Sequence, residues 1–282
     1  MIAAEVLIES GAELGEGPLW LVEDGRLAWV DILVGEVHSA TLDGADHRVT
    51  TLDVPVGAIA AAETGALVAA VPSGLVRVAD GSHVASIDVD APDVRMNDGK
   101  PDPSGRFVGG TMTLGEPRAG AGTLWSIDGA GARRLVPDVT ISNGLAWSAD
   151  GRQLFYVDTP TQRIDVLDYD PADGSVSDRR PWAHIDPRHG SPDGISIDAD
   201  GGIWVALWGG SAVHRFVDGV LDTVVEVPVS QPTCPTFAGP ELNLLVVTSA
   251  SIGVDEPAAG HLFGVDVGVR GVAPFRLGSW AT

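Results

Sequence analysis

The sequence predicts an all-β fold, a six-bladed β-propeller, on three observations. Short alternating or fully apolar runs fill the 282 residues, and no long segment carries apolar residues at i, i+3, i+4 and i+7 with caps. Asp-Gly, Thr-Gly and Ser-Gly corners bound these runs, as hairpin turns do. The corners also recur. Their glycines are Gly25, Gly65, Gly105, Gly151 and Gly201, spaced 40 to 50 residues apart, and a sixth corner lies at Gly239-Pro-Glu-Leu-Asn. A period of that length with about four strands per unit marks a propeller blade, and six such units fill the chain. A β-sandwich, the competing all-β architecture, predicts no fixed period.

Each corner introduces an apolar strand. In order these are Leu27–Val30, Leu67–Val71, Phe107–Gly110, Leu154–Val157, Ile203–Leu207 and Leu244–Thr248. The unit is clearest at 191–206, where a Pro-Asp-Gly corner, an alternating strand bearing Ile195 and Ile197, an Asp200-Gly201 turn and a second strand follow one another. Most copies add a third strand ending in another turn, as in Thr123-Leu-Trp-Ser-Ile-Asp-Gly and Val213-His-Arg-Phe-Val-Asp-Gly. The N-terminal run, about Ala3–Glu9, has no hairpin partner of its own. It is expected to join the last blade and close the ring, which leaves no exposed edge there. Residues 1–282 then form a single propeller domain.

Composition narrows the function. Hydrophobic residues make up 44% of the chain and charged ones 20%, an ordinary folded composition. The formal net charge of −22 disfavours nucleic acid and anionic membranes as partners and favours cations. The single cysteine, Cys234, permits neither an intrachain disulfide nor a cysteine-based zinc site. The N-terminus has no basic region and carries Glu5 and Glu9 within its apolar run, unlike a signal peptide. No apolar run is long enough for a membrane span. These features point to a cytoplasmic protein, with nothing that demands more than a monomer.

The repeat register locates a candidate site. The inner strand of a blade starts at one mouth of the central channel, so equivalent first positions in different blades converge on the axis. Counting back eight or nine residues from each corner glycine gives Glu16, Gly57, Asn97, Asn143, Asp193 and, in the sixth copy, about Thr233. Two carboxylates and two carboxamides aimed at one axis make an all-oxygen set suited to a hard divalent cation, Ca²⁺ foremost, with Mg²⁺ and Mn²⁺ also admissible. Asn-Gly and Asp-Gly are common turn dipeptides, so each residue alone reads equally as a turn former. Glu16 does not, and the shared register argues against that reading for the set. Arg95 stands two residues before Asn97, on the same strand face, where a guanidinium suits either a substrate's oxygens or a neighbouring carboxylate.

Other candidates are weaker. Asp168-Tyr-Asp-Pro-Ala-Asp-Gly174 lacks EF-hand spacing and reads as a strand-linking turn. His184 and His189 read as surface histidines, and Cys234 as a buried small thiol. No glycine-rich loop opens a helix, and no Gly-x-Ser-x-Gly elbow is present.

Several ordered motifs resemble those of the regucalcin (senescence marker protein)/gluconolactonase family. They are Leu14-Gly-Glu-Gly-Pro-Leu-Trp20, Arg95-Met-Asn-Asp-Gly-Lys-Pro-Asp-Pro-Ser-Gly-Arg106 with Gly110-Thr-Met112, Ser142-Asn-Gly-Leu-Ala-Trp-Ser148, Ser191-Pro-Asp-Gly with Trp204-Val-Ala-Leu-Trp-Gly-Gly210, and Val247-Thr-Ser-Ala250. The resemblance runs from about residue 5 to the C-terminus. It implies a six-bladed propeller with one catalytic divalent metal in the channel, Ca²⁺ or, as family members tolerate, Zn²⁺. It implies Glu16, Asn143 and Asp193 as metal ligands, Arg95 and Asn97 as substrate contacts, and Asp193 as general base. The implied reaction is hydrolysis of a small sugar lactone, with another ester, phosphotriester or non-sugar lactone hydrolase on the same scaffold, or a non-enzymatic calcium-binding protein, as alternatives. The chain departs from the pattern after Gly-Thr-Met, where the family's substrate-contacting Glu falls on Gly115, with Glu116 beside it.

Overall fold

The corner glycines all take positive φ, from 60° at Gly25 to 89° at Gly239, a region that residues with a Cβ rarely enter. They turn the chain into six antiparallel sheets, seen in a computed structural model that describes residues 2–89 and 91–282. The sheets are the blades of a six-bladed β-propeller. Their inner strands are Gly15–Leu21, Ala58–Ala61, Val94–Pro101, Ser142–Trp147, Ser191–Ile197 and Pro232–Ala238. The first four blades run outward in sequence order, as in Ser142–Trp147, Gln153–Asp158, Arg163–Asp170 and Ser175–His184, and the last two add N-terminal strands at their outer edges.

The ring is held by what fills the gaps between blades. Buried apolar residues fall into six clusters, and each cluster joins two neighbouring blades. Ala58, Leu75, Met96 and Phe107 join the second to the third, for example, and Trp204, Val213, Phe237 and Phe263 join the fifth to the sixth. Burial of one Val, Leu, Ile or Phe side chain stabilises by roughly 1.5–3 kcal/mol. A ladder hydrogen bond nets about 1 kcal/mol. One side chain buried between blades therefore contributes more than one ladder bond.

The N-terminal run closes the ring but divides its pairing. Glu5–Ile8 pairs antiparallel with Leu262–Asp266 and completes the sixth blade, as expected. Ile2 and Ala3 instead pair in parallel with Val225 and Glu226, adding a fifth strand to the fifth blade. The chain end behaves as a second clasp. Ala199 N–H donates to the Arg270 carbonyl, and Leu277 N–H to the Ala61 carbonyl, so residues 271–277 cross from the fifth blade to the second. Together with Leu145, Trp147 and Asp98, this strap lines a cavity of about 270 Å³ at the far end of the channel. Among the described residues, no helix is long and apolar enough to cross a membrane.

Candidate functional site

Two local devices aim the site residues. The first is a β-bulge. Strand register slips between Glu16 and Leu19, Met96 and Gly99, Ser142 and Leu145, Pro192 and Ile195, and Pro232 and Pro235. In five blades the irregularity thus falls at the residue picked by repeat counting. Only in the second blade, which carries Gly57 there, do the two innermost strands pair without a slip. A bulge re-aims a side chain and frees it from the ladder. Asn97, Asn143 and Asp193 therefore lie at strand bulges rather than in turns. The inner strands also approach closely. A Cβ on Gly144 would stand 2.8 Å from the Asp193 carbonyl, and one on Gly194 would meet Cys234.

The second device is an aspartate at the end of the second strand. Asp31 accepts from the backbone N–H of Glu13 at 2.8 Å and of Leu14 at 3.1 Å, just ahead of Glu16. Asp158 accepts from Thr140 at 3.1 Å and Ile141 at 3.0 Å, just ahead of Asn143. Both aspartates are buried. Their sequence signature, Trp29-Val-Asp31 and Tyr156-Val-Asp158, repeats in the same place of two blades and was available for the reading of the sequence to use. Asp158→Ala should weaken cation binding about 10- to 100-fold, the usual cost of losing an outer partner of a ligand. Titration calorimetry against the wild type checks this, and unchanged affinity would show that the Thr140–Asn143 loop holds itself.

The site residues form a directed hydrogen-bond chain. Arg95 Nη1 donates to Asn97 Oδ1 at 2.7 Å. Asn97 Nδ2 donates to Asn143 Oδ1 at 2.8 Å and to the Ser142 carbonyl at 2.9 Å. Asn143 Nδ2 donates to Thr159 Oγ1 at 2.8 Å, and Thr159 donates to the Pro192 carbonyl at 2.8 Å. The Thr159 proton is committed to Pro192, so its oxygen must accept from Asn143. That requirement turns the Asn143 amide oxygen away from Thr159, toward Asn97. Arg95 meets amide and carbonyl oxygens, and among the described residues it has no carboxylate within ion-pairing distance.

Burial and mutual repulsion dominate the electrostatics of the carboxylates. Burial, then the nearby Asp98 carboxylate, pushes Glu16 up to about 8. Burial, then Glu16 and Asp98, raises Asp193 well above the carboxylate range. Asp98 is itself raised by burial, and neither of its oxygens has a hydrogen-bond partner. Burial lowers the Arg95 guanidinium to about 10 against the pull of Glu16 and Asp193. Lys100, the other nearby cation, donates to the Ile195 carbonyl. Counting back from the corners passed over Asp98, Lys100 and Thr159, although the first two stand in the Arg95–Arg106 motif.

A divalent cation fits this donor set. Glu16, Asp98 and Asp193 are buried carboxylates in one another's fields, with Arg95 and Lys100 as the nearby cations among the described residues. Among the described residues, no three His, Cys, Asp or Glu side chains are grouped to hold a metal alone. The third oxygen available is the Asn143 amide. His184 and His189 are both surface-exposed, and His189 tilts against the His214 ring at 5.4 Å. Cys234 is a buried free thiol.

Comparison with known proteins adds independent findings. Residues 14–251 match the model of the SMP-30/gluconolactonase/LRE-like region. Regucalcin of Xenopus laevis is 34% identical over 300 residues, with 97% of each chain covered. The Bacillus subtilis protein YvrE, provisionally named a sugar lactone lactonase, is 34% identical over 94% of this chain and 95% of its own. The crystal structure of a calcium-binding protein, regucalcin from Agrobacterium tumefaciens, superposes with a TM-score of 0.91 at 32% identity, covering 98% of this chain and 97% of the other.

Proposed function

The chain belongs to the SMP-30/gluconolactonase/LRE-like family, and on that premise we propose that it hydrolyses sugar-type lactones to their hydroxy acids with a divalent cation in the channel. The observation that carries the reading is the cluster of Glu16, Asn143 and Asp193 at the channel bulges, two buried carboxylates and an amide oxygen with too little positive charge around them. These three residues would hold the cation, Ca²⁺ first among the candidates. A bound cation would polarise the lactone carbonyl and offset the charge that develops on its oxygen.

The protein's own groups do the rest. Asp193 takes a proton from the attacking water as its oxygen bonds to the carbonyl carbon, then returns it to the ring oxygen as the ring C–O bond breaks. Arg95 presents its remaining N–H donors at the same mouth, and Asn97, whose amide hydrogens go to Asn143 and Ser142, offers its Oδ1 beside them to a substrate hydroxyl. Their mutual hydrogen bond fixes both before substrate arrives, which spares part of the ordering cost. The reading carries with it a single-domain cytoplasmic monomer acting on a small molecule.

The test is hydrolysis of glucono-δ-lactone in a pH-stat by protein purified with and without chelator. Turnover that chelation abolishes and Ca²⁺, Mn²⁺, Mg²⁺ or Zn²⁺ restores is the expected result. Chelator-insensitive turnover would remove the metal from the mechanism. Tight Ca²⁺ binding with no turnover of any lactone or ester would favour a non-enzymatic calcium-binding protein.

A further inference from the structure

The mouth of the channel at which the site residues stand is rimmed with apolar side chains. Leu33, Val34, Val54, Leu114 and Ile252 are between 36% and 44% exposed. Each lies in a connection on the face where the inner strands begin. Strand register places them against the site. Glu16 pairs with Val30, and Leu33 lies in the turn that follows the end of that strand at Asp31. Arg95 pairs with Met112, so Leu114 is two residues, roughly 7 Å, beyond it. Half-buried Trp208 pairs with Ser191, two residues before Asp193.

Part of the rim is continuous. Leu52 N–H donates to the Gly35 carbonyl, and Val56 N–H to that of Ile32, so the loop of Val54 is tied to the loop of Leu33 and Val34. Ile252 N–H donates to the Glu13 carbonyl, and Ile32 N–H to that of Leu14, which brings the sixth blade's loop against the first. The apolar stretch therefore runs over the first and sixth blades, with Leu114 and Trp208 on the third and fifth.

Two arginines on this face are already paired. Arg118 pairs with Asp93 at 2.8 Å, and Arg188 with Asp186. After Gly-Thr-Met, where an acidic contact was expected, Gly115 offers no side chain, and its neighbours Leu114 and Glu116 are both exposed. The floor of the mouth is polar, through Arg95, Asn97 and the carboxylates. The wall above it carries these apolar groups, with exposed Asp53 and Glu116 between them. Exposed apolar groups clustered around a candidate site are the signature of a ligand with an apolar part.

We propose that the lactone this site takes carries an apolar substituent, alkyl or aryl, which projects from the ring and lies over the rim of Leu33, Val34, Val54, Leu114, Trp208 and Ile252. The proposal rests on the lactonase reading and adds the substrate class. The ring meets the polar floor, and the tail covers the wall.

The test is a series of γ-lactones whose alkyl tail lengthens from methyl to heptyl, assayed with cation-saturated protein beside glucono-δ-lactone. kcat/KM should rise about two- to fourfold per methylene, mostly through KM, until the tail outruns the rim. The L33S/V34S double variant and, separately, L114S should each reduce the gain per methylene. A flat series for the wild type, with glucono-δ-lactone still turned over, overturns the proposal and leaves the lactonase reading standing. If no lactone of any kind is hydrolysed, the lactonase reading fails instead. Calorimetric titration with γ-undecalactone and γ-valerolactone then reads the rim directly: tighter binding of the longer tail supports it, and equal or absent binding overturns it.

Discussion

Asp193→Asn should lower kcat for lactone hydrolysis about a thousandfold at saturating cation, within the range lost with a positioned general base. The substitution is chosen because it separates two roles. Asparagine keeps an oxygen at the same bulge, so the donor set retains its shape while losing one negative charge and its basic lone pair. Cation affinity should therefore fall as well, and measurable loading should persist at higher concentration. The decisive comparison is kcat extrapolated to full loading. If it returns to the wild-type value, Asp193 only holds the cation and the proton goes elsewhere. Asp98 is the group to examine in that case. It is buried, neither of its oxygens has a partner, and it lies within the fields of both Glu16 and Asp193.

The residues at issue show which parts of the site a one-dimensional reading reaches. Glu16, Asn97, Asn143 and Asp193 were legible because a blade repeat forces equivalent positions onto one axis, and counting from a corner glycine is a local operation. The bulges that aim them were not legible, since a bulge is a mismatch between two strands and leaves no mark in either one alone. The same holds for Thr159. Its part in orienting Asn143 depends on the Pro192 carbonyl, 33 residues away. Asp98 was hidden by its neighbour, because Asn97 filled the register and the bulge let both side chains leave the ladder. The strand pairing of Ile2 and Ala3 with the fifth blade, and the strap from 271 to 277, are long-range clasps that no repeat period encodes. The six inter-blade cores were implicit in the strand alternation. The repeated aromatic-Val-Asp signature was present in the sequence and went unused.

Cation binding near neutral pH should expel protons, and the sign follows from the direction of the carboxylate shifts. Glu16 is raised from 4.5 to about 8, and Asp193 is raised by burial and by Glu16. In the metal-free fold these groups keep protons that the unfolded chain, with ordinary carboxylate values, has released. Between about pH 4.5 and 8 the folded state thus binds more protons than the unfolded one, and its stability declines as pH rises through that window. A bound cation requires ionised carboxylates and reverses the preference. Apparent affinity should accordingly climb up to about tenfold per pH unit for each proton displaced, with the Glu16 part of the rise levelling off above about pH 8. Arg95, lowered only to about 10, stays cationic throughout and does not confuse the count. Two measurements check this. Calorimetry in buffers of different ionisation enthalpy should show protons leaving the protein at pH 6.5, about one or more per cation. Thermal melts of chelated protein should fall from pH 5 to pH 8, and saturating Ca²⁺ should remove that slope. Equal affinity at pH 6 and pH 8, with no buffer dependence of the heat, would mean that the carboxylates are already ionised without the cation. The Arg95 and Lys100 charges would then balance them more fully than their placement suggests.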